Sequence, residues 1–173
     1  QPVSYQTIRQ ISMCQYELGN YTESIQAMKQ LLQQFPNNIE LIYSIAIINL
    51  DKLENPEEAL LYFTFGKDRF SDKMSSIYGP NFKLIMDPTV APDIYYDLFY
   101  GRARTNMILQ HYKDAASDCN WAIYLRPQQG EPYKIRANAN VQLNRFGSIC
   151  NDIRQAKKLG VADIADLERK YCR

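Results

Sequence analysis

Apolar residues recur every three to four positions in two stretches near the start of the chain. The first stretch contains Ile8, Ile11 and Met13–Cys14, and the second contains Ile25, Met28 and Leu31–Leu32. An α-helix has 3.6 residues per turn, so this spacing places the apolar side chains of each stretch on one helical face. The pattern predicts two amphipathic helices. A single helical hairpin cannot bury both faces, so further hairpins should stack on it.

Prolines divide the rest of the chain into segments of similar size. The windows 3–35, 93–126 and 133–173 contain no proline, and each is long enough for two helices and a turn. Proline disrupts helix interiors, because it lacks the backbone N–H and clashes with the preceding turn. Three prolines lie within 80–92, which predicts an irregular connection there. With only 7 glycines in 173 residues, the composition favours helices over a turn-rich β fold.

Two segments in the C-terminal half repeat at an offset of 34 residues. The residue pairs that keep this offset are Phe99/Tyr133, Arg102/Arg136, Ala103/Ala137, Asn106/Asn140 and Ala122/Ala156. Internal repeats of this period indicate stacked supersecondary units, each made of one helical hairpin.

On these residues the chain resembles the tetratricopeptide repeat (TPR) family. Its pattern is a large then a small residue in a first helix, a turn with an aromatic residue, an alanine-bearing second helix and a closing proline. Repeat one (about 5–38) supplies Ile8, Ser12, Gly19, Tyr21 and Pro36, and repeat two (about 40–72) supplies Tyr43, Ala46, Ala59 and Phe63. Repeat three (about 96–129) supplies Phe99, Ala103, Tyr112, Ala115 and Pro127, and repeat four (about 130–161) supplies Tyr133, Ala137, Phe146 and Ala156.

The resemblance implies a single all-α domain over 1–173, a right-handed α-solenoid of about four hairpins. Residues 73–95, approximately, would then form an insert between repeats two and three. The insert either fills the junction of these repeats as a structural patch or covers the groove as a lid. A capping helix of about 162–172 follows Gly160, with Val161, Ile164, Leu167 and Tyr171 on one face. Such a helix would cover the apolar end of the last repeat.

Charge and motifs exclude several function classes. The net charge of +1 and the absence of a strip of basic and aromatic residues disfavour nucleic-acid binding. No common nucleotide, metalloprotease or hydrolase motif is present, and the single histidine, His111, lies in a predicted turn. We therefore expect no enzyme activity, no cofactor and no metal site. The most apolar stretch, Leu41 to Leu50, is too short to cross a membrane.

The TPR resemblance implies a non-catalytic scaffold or adaptor that binds a peptide or helix of another protein in a concave groove lined by the first helices. The predicted groove residues are Arg9, Met13, Tyr16, Ser44, Ile48, Tyr100, Arg104, Met107, Lys134 and Asn138. The alternative is an envelope module that binds a glycan or nutrient, because the 13 tyrosines could stack on sugar rings. Residues 39–69 carry a net charge of −3 and residues 130–173 of +4, so self-association is a further possibility.

The four cysteines contain no C-x-x-C pair, which disfavours a zinc site. Helical position predicts that Cys14 and Cys119 are small core residues. Antiparallel packing would bring Cys150 and Cys172 together, and the C-terminal sequence around them resembles exported TPR proteins of Bacteroidota-type bacteria. That resemblance implies a disulfide and a bacterial periplasm or envelope location. Two reduced thiols in a cytoplasmic chain are the alternative.

Overall fold

A computed structural model describes residues 4–172, and this part of the chain is helical with no β-strand. The chain divides into two compact units, Gln1–Lys73 and Met74–Arg173. The boundary falls within α4, the fourth helix. Each of the four predicted repeats contains one helix pair, and the all-α fold class predicted from the sequence is confirmed.

The first unit contains α1 (Tyr5–Glu17), α2 (Tyr21–Gln34), α3 (Ile39–Asp51) and most of α4 (Pro56–Tyr78). Side chains cap three of these helices: Ser4, Asn38 and Asn55 each accept a hydrogen bond from a backbone N–H of the first turn. Gly19 has a φ of +79° between α1 and α2, a conformation that glycine adopts without strain. One core cluster of this unit contains the buried residues Ile8, Ile25, Ala27, Met28, Leu31, Leu41, Ile45 and Ile48.

The first helix exposes more of its apolar surface than the periodicity predicted. Ile11, Met13 and Cys14 are exposed, and only Ile8 and Ser12 of α1 are buried. The prediction that Cys14 is a core residue is therefore wrong. It lies away from the α1 face that packs on α2, whereas Cys119 is fully buried as expected. Burial also raises the pKa of the Cys119 thiol, so it stays protonated.

The second unit contains α5 (Asp93–Ile108), α6 (Tyr112–Leu125), α7 (Glu131–Gln142), α8 (Ile149–Lys158) and α9 (Ala165–Tyr171). Short 3₁₀ turns occupy Phe82–Leu84, Pro88–Val90 and Phe146–Ser148. The α4 helix continues past residue 72 to Tyr78, so the start of the predicted insert is helical.

The remainder of the insert packs against the end of α6. The Tyr124 hydroxyl donates to the Met86 carbonyl at 2.5 Å, and the Arg126 guanidinium donates to the carbonyls of Pro88 and Ala91 at 3.1 and 2.5 Å. Phe82 is buried and stacks on Trp121 with ring centroids 5.8 Å apart. These contacts support the structural-patch interpretation of the insert, although Leu84 and Ile85 remain exposed.

The last helix covers the apolar end of the fourth hairpin, but it begins later than predicted. Gly160 has a φ of +80° and ends α8, with the Val161 N–H donating to the Ala156 carbonyl at 3.1 Å. The chain turns again at Asp163 (φ +54°), so Val161 and Ile164 precede α9. Ile164 is buried in the cluster of Tyr133, Ile149 and Ile153, and the other predicted cap residues, Val161, Leu167 and Tyr171, are partly buried against it.

A disulfide joins the cap to the fourth hairpin. Cys150 lies in the first turn of α8 and Cys172 directly follows α9. Their Sγ atoms are bonded to each other. Their Cα atoms are 5.1 Å apart, within the range that a disulfide spans. The antiparallel arrangement of α8 and α9 therefore brings these two cysteines together, as the sequence reasoning expected.

Candidate functional site

The first unit has a groove between α1 and α3, which are the first helices of its two hairpins. Two adjoining depressions, of about 300 and 180 Å³, share Met13, Met28 and Ser44 in their lining. On α1 the groove is lined by residues three to four positions apart, which share one helical face. The lining residues on α1 are Tyr5, Arg9, Ser12, Met13, Tyr16 and Glu17, and those on α3 are Glu40, Leu41, Ser44, Ile47 and Ile48.

All five predicted groove residues of the first unit line this groove. Met13 is 55% exposed and Arg9 is also exposed, whereas Tyr16 and Ser44 are half-buried. Ile48 differs, because it is only 3% exposed and belongs to the core. It therefore forms part of the floor of the groove and offers little surface for contact.

Aromatic and charged side chains fix the two ends of the groove. At one end the Tyr16 ring packs edge-on against Tyr21, with centroids 5.5 Å apart, and the Lys52 ammonium lies 6.0 Å from the Tyr16 ring. Arg9 and Glu40 line the other end of the groove. The groove thus has an apolar centre, around Met13, and charged groups of both signs at its edges.

In the second unit, two of the three predicted site residues of α5, Tyr100 and Arg104, belong to a stack that also includes Tyr96. Tyr96 and Tyr100 lie parallel with ring centroids 5.8 Å apart, and the Arg104 guanidinium lies 5.9 Å from the Tyr100 ring. Burial raises the pKa of Tyr96 far above its ordinary value, with smaller contributions from nearby charges, so the phenol stays neutral. Tyr96, Tyr100 and Arg104 are spaced four positions apart, so they share one face of α5, and all three are half-buried.

The remaining predicted residues of the second unit make contacts within the fold. Met107 packs on the cluster of Ala115, Ala116 and Ala139. The Lys134 ammonium donates to the Ala162 carbonyl at 3.1 Å and so holds the segment before the cap. Asn138 is half-buried on α7.

Sequence reasoning missed two ion pairs in the second unit, each of which joins the two helices of one hairpin. Arg102 donates two hydrogen bonds to the buried carboxylate of Asp118, and Arg136 does the same to Asp152, at the same sequence offset. Desolvation raises the pKa of Asp118 although Arg102 opposes the shift. Desolvation alone would lower the pKa of Arg136, but the hydrogen bonds and charge of Asp152 outweigh it and the pKa is raised. The signal was an Arg and an Asp 16 residues apart in both repeats.

Neither a cluster of metal-ligating side chains nor a membrane-spanning helix occurs in residues 4–172. No group of three or more His, Cys, Asp and Glu side chains in this range could hold a metal ion. Within the same range, no helix is long and apolar enough to cross a membrane. His111 is exposed at the start of α6, as expected for a turn residue.

The helical hairpins define an all-α fold of the α-solenoid class. Among solved structures, that of MamA matches with a TM-score of 0.67 at 15% identity, covering 87% of this chain and 74% of that one. A second MamA structure, labelled AMB-1, matches with a TM-score of 0.66 at 13% identity, covering 95% and 78%. Identities this low show a shared fold alone.

A thermophilic TPR protein of Thermus thermophilus aligns with 98% of this chain and 97% of its own at 17% identity. Its TM-score of 0.39 is too low to support an argument. No protein-family model matches the sequence, and the comparison with curated proteins finds no significant match.

Proposed function

We propose that this protein is a non-catalytic scaffold that binds a segment of another protein in the groove between α1 and α3. The observation that carries the proposal is the exposed Met13 at the centre of this groove, above a floor formed by Met28 and Ile48. An unbranched methionine adapts to different apolar partners, and exposed apolar surface in a groove is typical of interaction sites.

The groove chemistry specifies the kind of segment. Apolar anchor side chains would pack on Met13 and Tyr16, and an acidic group would pair with Arg9. Glu17 and Glu40 would favour a basic residue at either edge of the segment. An amphipathic helix or an extended strand with spaced apolar anchors meets these requirements.

The alternative, a glycan-binding module, draws less support from the structure. It would require tyrosine rings exposed on one surface, and every tyrosine in the chain is buried or half-buried. Tyr16 packs edge-on against Tyr21 and Tyr96 stacks on Tyr100, so protein contacts already cover part of each ring.

A single charge in the groove should abolish most of this binding. Peptides would be selected from a random phage-displayed library against the full chain, and their affinities measured by fluorescence anisotropy. Met13→Glu should weaken the selected peptides at least about tenfold, or about 1.4 kcal/mol, because it places a carboxylate where apolar anchors pack. Met13 is already more than half exposed, so the fold should tolerate the change.

The matched control is Leu61→Glu, which introduces the same charge at a residue of the same unit that is 61% exposed and lies outside the groove. This variant should bind the peptides as the wild type does. Equal weakening by both variants, or by neither, would show that the α1–α3 groove is not the binding site.

We propose the Tyr100–Arg104 stack on α5 as a second contact surface of the scaffold. Aromatic and arginine side chains carry the largest energetic contributions in protein interfaces, and here they lie against each other on one helical face. A Tyr100→Ala, Arg104→Ala variant would be assayed with the same peptides. Loss of affinity for a peptide that Met13→Glu leaves unaffected would assign that peptide to this surface.

We also propose that the chain works in an oxidising compartment, such as the periplasm or envelope of a bacterium. The Cα separation of 5.1 Å between Cys150 and Cys172 supports this proposal, because structural disulfides persist mainly in such compartments. Alkylation of cell lysates followed by mass spectrometry would count the free thiols of the native protein. Four free thiols in the native host would contradict it.

A further inference from the structure

A cavity of about 490 Å³, lined mainly by residues with polar or charged side chains, lies in the second unit between α6, α7 and the turn before α8. It is separate from the α1–α3 groove, because all of its residues belong to the third and fourth hairpins. Its lining consists of Lys113, Ala116, Ser117, Asn120, Arg136, Asn140, Arg145 and Ser148.

The lining contains three cations and no carboxylate. Arg136 is held in place, because Asp152 accepts two of its hydrogen bonds and Asn120 Oδ1 accepts a third, from Nη1, at 2.7 Å. That contact turns the Asn120 carbonyl oxygen toward Arg136. Among the described residues, neither Lys113 nor Arg145 forms an ion pair. The cavity therefore has an excess of two positive charges beside the neutralised Arg136–Asp152 pair.

A comparison of the third and fourth hairpins shows which polar groups the cavity leaves without a close hydrogen bond. In the third hairpin, Asn106 donates to the Asp118 carboxylate at 2.9 Å, which closes the network between the two helices. The equivalent Asn140 makes only a long contact, 3.5 Å, with Ser148 Oγ, and lines the cavity. The fourth hairpin thus presents an amide and a hydroxyl to the cavity at the position where the third hairpin has an internal hydrogen bond.

The chemistry of the lining selects its ligand. Two exposed cations and a fixed guanidinium suit the oxygens of a phosphate group, which arginine and lysine bind through charge-assisted hydrogen bonds. Two serines and two asparagines would accept and donate hydrogen bonds to hydroxyl groups. Ala116 is the only residue of this lining whose side chain has no polar atom. The volume lies within the range of small-molecule sites.

We propose that this cavity binds a small polyhydroxylated phosphate monoester, such as a phosphorylated sugar. Lys113 and Arg145 contact the phosphate, and the serine and asparagine side chains contact the hydroxyl groups. The proposal does not depend on the partner groove, because the two sites lie in different units and share no residue.

Calorimetric titration of the full chain at low ionic strength tests this site, with glucose 6-phosphate, glucose and inorganic phosphate as probes. Glucose 6-phosphate should bind more tightly than inorganic phosphate, and glucose should give no heat of binding. A Lys113→Gln, Arg145→Gln variant should weaken glucose 6-phosphate at least about tenfold, because both charge-assisted contacts are lost. Both residues are exposed, so the fold should be preserved.

The matched control is Arg154→Gln, Lys158→Gln, which removes two exposed cations of α8 that do not line the cavity. This control should change the affinity less than about twofold. Equal weakening in both double variants would overturn the site, because only the overall charge would then matter. No binding of glucose 6-phosphate, or equal binding of glucose, would overturn it as well. Tighter binding of a phosphoserine peptide would replace the sugar phosphate with a phosphorylated protein segment.

Discussion

Replacing Asp118 with alanine should lower the free energy of unfolding by about 3–5 kcal/mol. The Asp118 carboxylate is fully buried and accepts hydrogen bonds from Arg102 and Asn106. The Arg102 side chain is itself only 12% exposed. Removing the acid leaves a buried guanidinium without a counter-charge and an amide without an acceptor, and both groups then lack compensation for their lost hydration. Urea unfolding followed by circular dichroism measures the difference.

The chain supplies its own comparison for this effect. Asp152→Ala removes the equivalent carboxylate of the fourth hairpin, but Arg136 is more exposed and keeps its hydrogen bond to Asn120. Asp152→Ala should therefore lower the free energy of unfolding by less than Asp118→Ala does, with a difference of at least about 1 kcal/mol. Asp114→Ala, at an exposed position of the same helix as Asp118, should cost about 0.5 kcal/mol. Similar losses for Asp118→Ala and Asp114→Ala would contradict a structural role for the Arg102–Asp118 pair.

A double variant separates the buried charge from the packing. Arg102→Met with Asp118→Asn removes both charges and keeps an acceptor for Asn106. It should be more stable than Asp118→Ala, since no uncompensated charge remains. If the double variant is the less stable of the two, the ion pair itself contributes more than its desolvation costs.

Loss of the Cys150–Cys172 disulfide should destabilise the oxidised protein by about 3 kcal/mol. The bond closes a loop with a sequence separation of 22 residues, and its main effect is to restrict the unfolded chain. It also ties the cap residues Ile164, Leu167 and Tyr171 to the cluster that they cover. Urea unfolding of a Cys150→Ser, Cys172→Ser variant without reductant measures this loss.

Reduction of the wild type supplies the control for that measurement. A thiol reductant should lower the stability of the wild type by a similar amount and leave the double serine variant unchanged. Cys14→Ser should have no effect, because Cys14 is exposed and unbonded. A wild type that is insensitive to reductant would show that the two cysteines are not bonded in solution.

Local sequence signals determined the helical hairpins of this protein. The three-to-four spacing of apolar residues, the prolines between segments and Gly160 at the end of α8 act within one or two turns of the chain, so they could be interpreted without tertiary contacts. Helical geometry also predicted that Arg9, Met13 and Tyr16 share one face of α1. In the structure all three residues line the groove.

Tertiary packing decided how deeply each of these side chains is buried. Ile48 and Met13 were equivalent groove candidates, yet Ile48 is in the core and Met13 is exposed. Neighbouring helices cover the face of α3 that carries Ile48, whereas the face of α1 that carries Met13 is left open. The Arg102–Asp118 pair and the cavity around Arg136 likewise join side chains from different helices. Periodicity assigns a residue to a face of its own helix, whereas burial and charge pairing depend on which helix packs against that face.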